Sequence, residues 1–332
     1  MTKDKVLSIL LKEDDYISGE YISRKLGLSR AAVNAAVKAL RSEGYEIASV
    51  TNKGYKLTFA PDILSEGSVG AYLPDERMDR VIVLDSIDST NKYLRELAYE
   101  GASDGQVVIA NEQTSGRGRM GRSFFSPKDK GIYFSYLMKP DLAPGDAVTL
   151  TAWTAVSIIR AIESVSGFSP SVKWVNDLVH EGRKLAGILT EMTIESETGR
   201  VDSIIIGIGI NINNDESDFP DDIKNIATSI SLESGNKISR SALAGAMTAE
   251  LDKMNSDWPD HRSEYLEAYR SYDMTCGRDL TVISGGMRRP AHALMINDDF
   301  SLKVEYPDGT KEDLSSGEVS LTGILSADED RL

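Results

Sequence analysis

A chain of 332 residues, 41% hydrophobic and 27% charged, has the balance of a soluble globular protein with room for two or three domains. One cysteine, Cys276, and three scattered histidines, His180, His261 and His292, exclude an internal disulfide framework and a cysteine-based zinc site, so no metal ligands are fixed by the sequence. The net charge of −15 argues against nucleic-acid binding by the whole chain, yet residues 1–60 carry ten Lys/Arg against seven Asp/Glu, leaving +3 there and −18 on the remainder. The longest apolar runs, such as 204–210, are too short to cross a bilayer, and the N-terminus has no signal-peptide cleavage pattern, so no membrane role is expected. A reducing cytoplasm is the expected compartment.

In chain order, residues 4–12 are predicted as a short amphipathic helix with Val6, Leu7, Ile9 and Leu10 near one side. Residues 18–45 then give helix, turn, helix: Ser18 and Ser29 are placed to cap, and Gly27 lets the chain reverse. Val33, Val37 and Leu40 form one stripe of the second helix, and Arg30, Asn34, Lys38 and Arg41 another, the layout of a helix whose back packs and whose front enters a major groove. Residues 48–51, the turn Asn52-Lys53-Gly54 and residues 55–57 predict a hairpin, a basic wing for the phosphate backbone. Residues 1–62 are therefore expected to form a winged helix-turn-helix DNA-binding domain, with Ser29, Arg30, Asn34, Lys38 and Lys53 as contacts. A three-helix bundle with an ordinary polar stripe is the alternative; the charge contrast and the lysine-bearing hairpin favour DNA.

A proline and small polar residues at 59–68 mark a linker. Beyond it, strands at 81–85, 106–111, 131–138, 171–175, 185–192 and 202–210 alternate with helices at 90–99, 147–166, 239–255 and 261–271, a mixed α/β domain over residues 63–272. Residues 273–332 change character. Short strands punctuated by Gly285-Gly286, Asn297-Asp298-Asp299 and Pro307-Asp308-Gly309, and closing on the strand 318–324, predict a small β-barrel or sandwich.

The most informative stretch is Gly116-Arg117-Gly118-Arg119-Met120-Gly121-Arg122, where three glycines allow close backbone approach and three arginines supply forked donors for phosphate or carboxylate. It satisfies the dinucleotide fingerprint only formally, because Ser123-Phe124-Phe125-Ser126-Pro127 does not start a helix, and no Gly-Lys-Ser/Thr follows for a P-loop. A flexible anion-binding loop that orders over a small ligand is the better reading. Upstream, Asp88-Ser89-Thr90-Asn91 begins a helix: it is either a plain N-cap or, with Gln113, a cluster of neutral donors and acceptors for an uncharged polar ring. Asn176-Asp177 leaves a strand and could be no more than a turn, but Lys184 opens an apolar strand, where a bland surface residue is unexpected. Gly207 and Gly209 sit inside a strand, which weakens it unless something must approach its backbone.

Residues 81–215 resemble the catalytic domain of biotin protein ligases through DSTN (88–91), GRGRMGR (116–122), KWVNDL (173–178), RKLAGIL (183–189) and GIGINI (207–212), and the resemblance extends over essentially the whole chain. The two ends are similar to those of the two-function members that also repress biotin-synthesis genes, which implies a small SH3-like barrel at the C-terminus. Two positions depart from the family pattern: Met120 stands where a basic residue is frequent, and Val175 where proline is usual. Both neighbour the chemistry, so altered loop stiffness is expected rather than lost activity. No tryptophan lies between 212 and 257 to contact the adenine, which leaves that contact unassigned.

The resemblance implies that ATP activates biotin as biotinyl-5'-AMP, with Mg²⁺ bridging phosphates, and that biotin then passes to a lysine of a biotin carboxyl carrier protein. It places Ser89, Thr90, Asn91, Gln113, Arg117, Gly118, Arg119, Tyr133, Lys184, Gly187, Gly207 and Gly209 at biotin, and Arg119, Arg122, Asn176, Asp177 and Asn211 at the nucleotide. Lys184, Arg119 and Asp177 are expected to carry the chemistry. Biotin's carboxylate is already ionised at neutral pH, so the first step needs charge neutralisation rather than a base. The acceptor amine, mostly protonated, needs a carboxylate to orient or deprotonate it, for which Asp177 is the candidate. Ordering of the arginine loop by biotinyl-AMP is expected to complete a homodimer that presents two recognition helices to operator DNA. The rival readings are a lipoate-type ligase, which shares the adenylate logic, and a non-catalytic ligand-sensing transcription factor.

Overall fold

The computed structural model describes residues 2–140, 149–195, 197–284 and 287–321. Residues 147–148 of one expected helix, the Gly285-Gly286 turn and residues 322–324 of the last expected strand lie outside them. The head consists of α1 (Thr2–Leu11), α2 (Gly19–Leu26), α3 (Arg30–Ser42) and a hairpin of β1 (Glu46–Val50) with β2 (Gly54–Phe59). The side chains of Ser18 and Ser29 accept from the backbone N–H of Tyr21 and Ala32, and Gly27 closes α2 at φ 64°, as the capping pattern required. Val6, Leu7, Leu10, Ile22, Val33, Val37, Leu40 and Ile47 give the head a core of its own.

The expected linker is packed structure instead. A short helix, α4 (Glu66–Gly70), follows Ser65, which forms a capping box with Ser68, and a β-carbon at Gly67 would lie 2.6 Å from the Asp4 carbonyl of α1. Asp62 accepts from the backbone N–H and guanidinium of Arg240, itself 1% exposed, at 3.0 and 2.8 Å. Small polar residues here serve close approach and capping, which composition cannot distinguish from a flexible connector.

The central sheet takes the order β3-β4-β5-β9-β8-β7-β6, with β3 (Val81–Leu84) parallel to β4 (Val107–Ala110) and every other pair antiparallel. Its remaining strands are β5 (Gly131–Met138), β6 (Ser171–Lys173), β7 (Asp177–His180), β8 (Arg183–Ile194) and β9 (Val201–Asn211). Strand alternation sorts the two faces. Val107, Ile109, Phe134, Tyr136, Ile204, Ile206, Ile208 and Ile210 join the main core beneath α6 (Leu150–Ser166), α8 (Arg240–Asp257) and α9 (Arg262–Tyr272). Val108, Leu137 and Ile205 point the other way, against Leu94 and Ala98 of α5 (Thr90–Tyr99). A further short helix, α7 (Ile230–Ser234), follows β9.

The single strand expected at 171–175 stops at Lys173. The Trp174–Val175 peptide is cis, and the chain turns into β7, which the Glu181-Gly182 turn joins to β8; both turn residues have positive φ, 47° and 83°. The C-terminal strands are β10 (Asp279–Ser284), β11 (Met287–Ile296), β12 (Leu302–Glu305), β13 (Lys311–Leu314) and β14 (Glu318–Leu321), in antiparallel order β13-β12-β11-β10-β14. Among the described residues β13 and β14 are unpaired edges, so this sheet is open where a barrel was expected; its inner residues, Leu280, Val282, Leu302 and Val304, merge with the main core.

Candidate active site and nucleic-acid interface

The face of the central sheet turned towards α5 carries Ser135 on β5, Gly207 and Gly209 on β9, and Gly187, Leu189 and Glu191 on β8, with Gly187 opposite Gly209 and Leu189 opposite Gly207. The alternation Gly-Ile-Gly-Ile therefore has a two-sided cause. The isoleucines fill the core, and the glycines leave a hollow on the opposite face. Neighbouring side chains enter that hollow. A β-carbon at Gly207 would stand 2.3 Å from Asn91 Oδ1, and one at Gly209 would stand 2.5 Å from the Phe124 ring. Together with Ser89, Thr90, Gln113, Arg117, Gly118, Arg119 and Lys184, these residues enclose a small cavity of about 50 Å³.

At one end the cavity is neutral, polar and buried. Ser89 occupies the N-cap position of α5, yet its hydroxyl makes no capping bond, which sets the tetrad apart from a plain helix start. Thr90 donates its backbone N–H to Gln113 Oε1 at 2.9 Å, and its hydroxyl lies 3.1 Å from the same oxygen. Asn91 donates Nδ2 to Glu191 Oε2 at 2.7 Å, while the Ser135 hydroxyl lies 2.6 Å from Asn91 Oδ1 and 2.8 Å from the Thr90 hydroxyl. Arg95 holds the other oxygen of Glu191 at 2.7 Å. Hydrogen bonds from Lys92 and from the Ser89 backbone N–H keep the Asp88 carboxyl below its ordinary range, so it stays an anion outside the hollow.

The opposite end is cationic. Lys184 Nζ donates to Asp177 Oδ1 at 2.7 Å, and Asn176 Nδ2 reaches the same oxygen at 3.1 Å. In the glycine-arginine loop, Gly116 is hemmed in by the Phe124 carbonyl, 2.5 Å from where a β-carbon would be, and Met120 has φ 55°. Arg117 is exposed and lines the cavity. Arg119 donates to Asn176 Oδ1 and to the Gly317 carbonyl, both at 2.8 Å, and Arg122 makes a two-pronged pair with Glu318 at 2.5 and 2.8 Å. The C-terminal sheet thus grips the loop through two of its arginines.

A larger cavity of about 500 Å³ shares Gln113, Gly118, Arg119, Phe124, Asn176 and Lys184 with the first, and continues past Arg122, Asp177 and Asn211 to Phe219, Pro220, Ile223 and Ile226. The segment after β9 forms this outer wall. It is stitched to the Lys184 backbone, whose N–H donates to the Ile226 carbonyl at 2.7 Å and whose carbonyl accepts from Thr228 at 2.9 Å. Asn211 Nδ2 donates to the Thr228 carbonyl at 3.0 Å.

Of the residues expected at the site, only Tyr133 does not line either cavity. Its hydroxyl donates to the Pro127 carbonyl at 2.9 Å, its ring lies edge-on to Phe124, and burial raises its phenol well above the usual range, so it buttresses the wall from behind. Sequence reasoning missed Phe124, Ser135, Glu191, Gly317 and Glu318. A glutamate as the one charged residue of 185–194 was an available signal for Glu191; nothing local marks Ser135.

In the head, Arg30, Asn34, Lys38 and Lys53 are exposed on one side of α3 and the hairpin. Arg30 pairs with Glu20 at 2.6 Å, Asn34 reaches the Tyr55 hydroxyl at 3.4 Å, and Lys53 Nζ lies 6.0 Å from the Tyr16 ring centre. Ser29 is occupied as the helix cap. Arg41, expected on the same stripe, instead ties α3 to the hairpin through the Ile47 carbonyl and the Ser49 hydroxyl, 2.6 Å away.

Comparison with known proteins bears on both parts. Residues 83–211 match the Biotin/lipoate A/B protein ligase family, and residues 2–56 match an HTH domain. The chain is 38% identical over 314 residues to the Bifunctional ligase/repressor BirA of Bacillus spizizenii, covering 94% of this chain and 96% of that one. It is 36% identical, with the same coverage, to the protein of that name from Bacillus subtilis. Among solved structures, the biotin protein ligase from Aquifex aeolicus in complex with biotin and ATP is similar with a TM-score of 0.62 and 26% identity, over 73% of this chain and 98% of its own.

Proposed function

The chain belongs to the biotin protein ligases of the bifunctional ligase/repressor kind, and from that premise we propose how its residues divide the work. It is a ligase acting on biotin and ATP, with a helix-turn-helix repressor head. The observation that carries the reading of the site is the junction of two unlike cavities at Lys184: a buried neutral hollow on one side and a cationic, partly apolar cleft on the other.

Biotin's ring enters the hollow among Ser89, Thr90, Asn91 and Gln113, over Gly187, Gly207 and Gly209. Phe124, which stands on Gly209, yields as it enters. The carboxylate then lies towards Lys184, Arg117 and Arg119, with Gly118 allowing the loop to close. ATP lies in the larger cleft, its phosphates towards Arg119, Arg122 and Asn176 and its base among Phe219, Pro220 and Ile223. The carboxylate oxygen attacks the α-phosphorus, the bond to the bridging oxygen breaks, and pyrophosphate leaves. Lys184 and the loop guanidinium groups first relieve repulsion between two anions, then hold the charge that builds on the phosphoryl oxygens.

Among the described residues no three acidic, histidine or cysteine side chains gather to hold a metal. Asp177 would be a single carboxylate ligand for a Mg²⁺ arriving with ATP, which would supply further charge neutralisation. For transfer, Asp177 Oδ1 is engaged by Lys184 and Asn176, so Oδ2 is the atom to receive the acceptor amine and take its proton. The acceptor is a lysine of a biotin carboxyl carrier domain, whose freed amine attacks the acyl carbon of biotinyl-AMP to form the amide as AMP leaves.

The far end of β8, where Met192 and Ile194 are 39% and 47% exposed, pairs only with β9 among the described residues, and it offers an edge to a second copy of the chain. Loop closure on biotinyl-AMP favours that homodimer, and Arg30, Asn34, Lys38 and Lys53 then meet operator DNA, with the N-terminus of α3 at Ser29 against a phosphate. Residues 1–62, 63–272 and 273–332 form the three domains, and the last has an SH3-like strand order, its first described strand β10 lying between β11 and the last described strand β14. The single thiol agrees with work in the cytoplasm. ATP–pyrophosphate exchange with biotin and with lipoate side by side tests the reading, followed by the mass shift of a carrier domain. Exchange that depends on lipoate and not on biotin would overturn it.

A further inference from the structure

We infer that Lys173 is a further cation of the nucleotide cleft, one that holds the β- and γ-phosphates of ATP and receives the pyrophosphate as it leaves. This rests on the ligase reading above and adds to it a fixed site for the leaving group.

The sheet itself places the side chain. Lys173 ends β6 and stands directly opposite Asp177 of β7; Asp177 stands opposite Gly187 of β8, and Gly187 opposite Gly209 of β9. Residues opposite one another in a ladder share a face, so these four form one row on the side that carries the hollow. Their chain neighbours Val172, Leu178, Ala186 and Ile210 join the core on the other side. Neighbouring strands lie about 4.8 Å apart, so Lys173 starts roughly 10 Å from Gly187, with Asp177 between them. The Lys173 side chain is half-buried and lines the larger cavity.

Strand order then separates the two ends of a nucleotide. Lys184 is paired with Val179 of β7 on one side and with Ala227 on the other, so the outer wall flanks β8 away from β7. Lys173 lies beyond β7 in the opposite direction. A base against Phe219, Pro220 and Ile223, with the α-phosphorus beside Lys184, leaves the pyrophosphate to extend across Asp177 towards β6. A lone carboxylate there would repel it. Lys184 Nζ already bonds Asp177 Oδ1 at 2.7 Å, and the second ammonium on the far flank makes the path net positive.

The backbone on either side of Lys173 is fixed. The Val172 carbonyl accepts from the Met274 N–H at 3.0 Å, the Trp174 N–H donates to Thr275 Oγ1 at 2.9 Å, and Trp174 Nε1 donates to the Phe300 carbonyl at 3.0 Å. Lys173 and Lys184 are thus strand-borne, and the loop arginines close over them. As biotin's carboxylate oxygen bonds to the α-phosphorus, the electron pair of the breaking P–O bond passes to the bridging oxygen of pyrophosphate. Lys173 faces the charge growing on that product and gives up no proton.

The test uses the full chain as wild type, Lys173→Gln and Lys173→Arg. ATP–pyrophosphate exchange gives the KM for ATP and for pyrophosphate, and calorimetry gives the biotin affinity. Preformed biotinyl-AMP mixed with a carrier domain gives the transfer rate with no pyrophosphate present, and thermal melting reports folding. In Lys173→Gln both KM values are expected to rise roughly ten- to hundredfold. Biotin affinity and transfer from biotinyl-AMP stay at wild-type values, and Lys173→Arg, which keeps the charge, recovers most of the loss. Wild-type KM values in Lys173→Gln, a loss confined to the transfer step, a loss as large in Lys173→Arg, or equal losses in every quantity would each overturn the inference. A wild type without biotin-dependent exchange overturns the ligase reading instead, and is told apart because the variants are measured against an active wild type.

Discussion

The two ends of the active site are built on opposite plans. Around Thr90 and Asn91 the polar groups are buried, at 3% and 6% exposure, and each is held by another side chain of the same domain. Around Arg117, Arg119 and Arg122 the groups are half-exposed or exposed; Arg119 is shared between Asn176 and the remote Gly317, and Arg122 pairs with the remote Glu318. Recognition of an uncharged ring needs fixed donors and acceptors with no water competing, so rigidity and burial favour it. Neutralising a carboxylate beside a triphosphate needs cations that can close after both have entered, so a loop tethered by surface pairs suits it. On the proposed function, selectivity is preformed and charge is assembled.

That contrast can be broken at either end. The largest effect is expected at the junction. Lys184→Ala should lower biotin-dependent ATP–pyrophosphate exchange by roughly a hundred- to a thousandfold, with little change in melting midpoint because the side chain is 40% exposed. On the buried side, Gly207→Ala forces Asn91 aside and should weaken biotin binding roughly ten- to hundredfold while lowering stability by about 1–3 kcal/mol; calorimetry and thermal melting measure both. In the head, Lys38→Ala should leave exchange unchanged, weaken operator binding at every sequence, and reduce the salt slope of that binding by about one. Titration of labelled duplex at several salt concentrations reads it. The smallest effect belongs to the loop tether: Glu318→Gln should raise the KM for ATP only a few-fold, and the rise should fade at high salt.

Much of this architecture was legible because it is local. The helix at 90–99 and the strand at 131–138 have the residues expected of them, and the caps at Ser18 and Ser29 follow from side chains that can accept from the next turn. The glycine-arginine loop and Lys184 were legible as residues that belong together, and Arg117, Gly118, Arg119 and Lys184 do line one cavity. What was not legible depends on pairing at a distance. Residues 59–68 read as a connector because Ser65, Ser68 and Gly67 have the same composition whether solvated or packed against Asp4. The β7 hairpin was hidden because Asn176-Asp177 resembles a terminal turn, although Glu181-Gly182 could have marked its far end. Gly207 and Gly209 were correctly suspected of admitting something; that it is Asn91 and Phe124 required knowing which strand faces lie beneath α5. Glu191 and Ser135 gain meaning only across three strands and a helix.

Hydrogen–deuterium exchange of the full chain, alone and with biotin and ATP, tests the two-plan account most directly. The account predicts that the amides of Thr90 and Gln113, which donate to Gln113 Oε1 and the Ser126 carbonyl, are protected before any ligand is added, and that those of residues 116–122 become protected only when both substrates are present. Rapid exchange at Thr90 and Gln113 in the free protein, or a loop already as protected as the sheet beneath it, would contradict it.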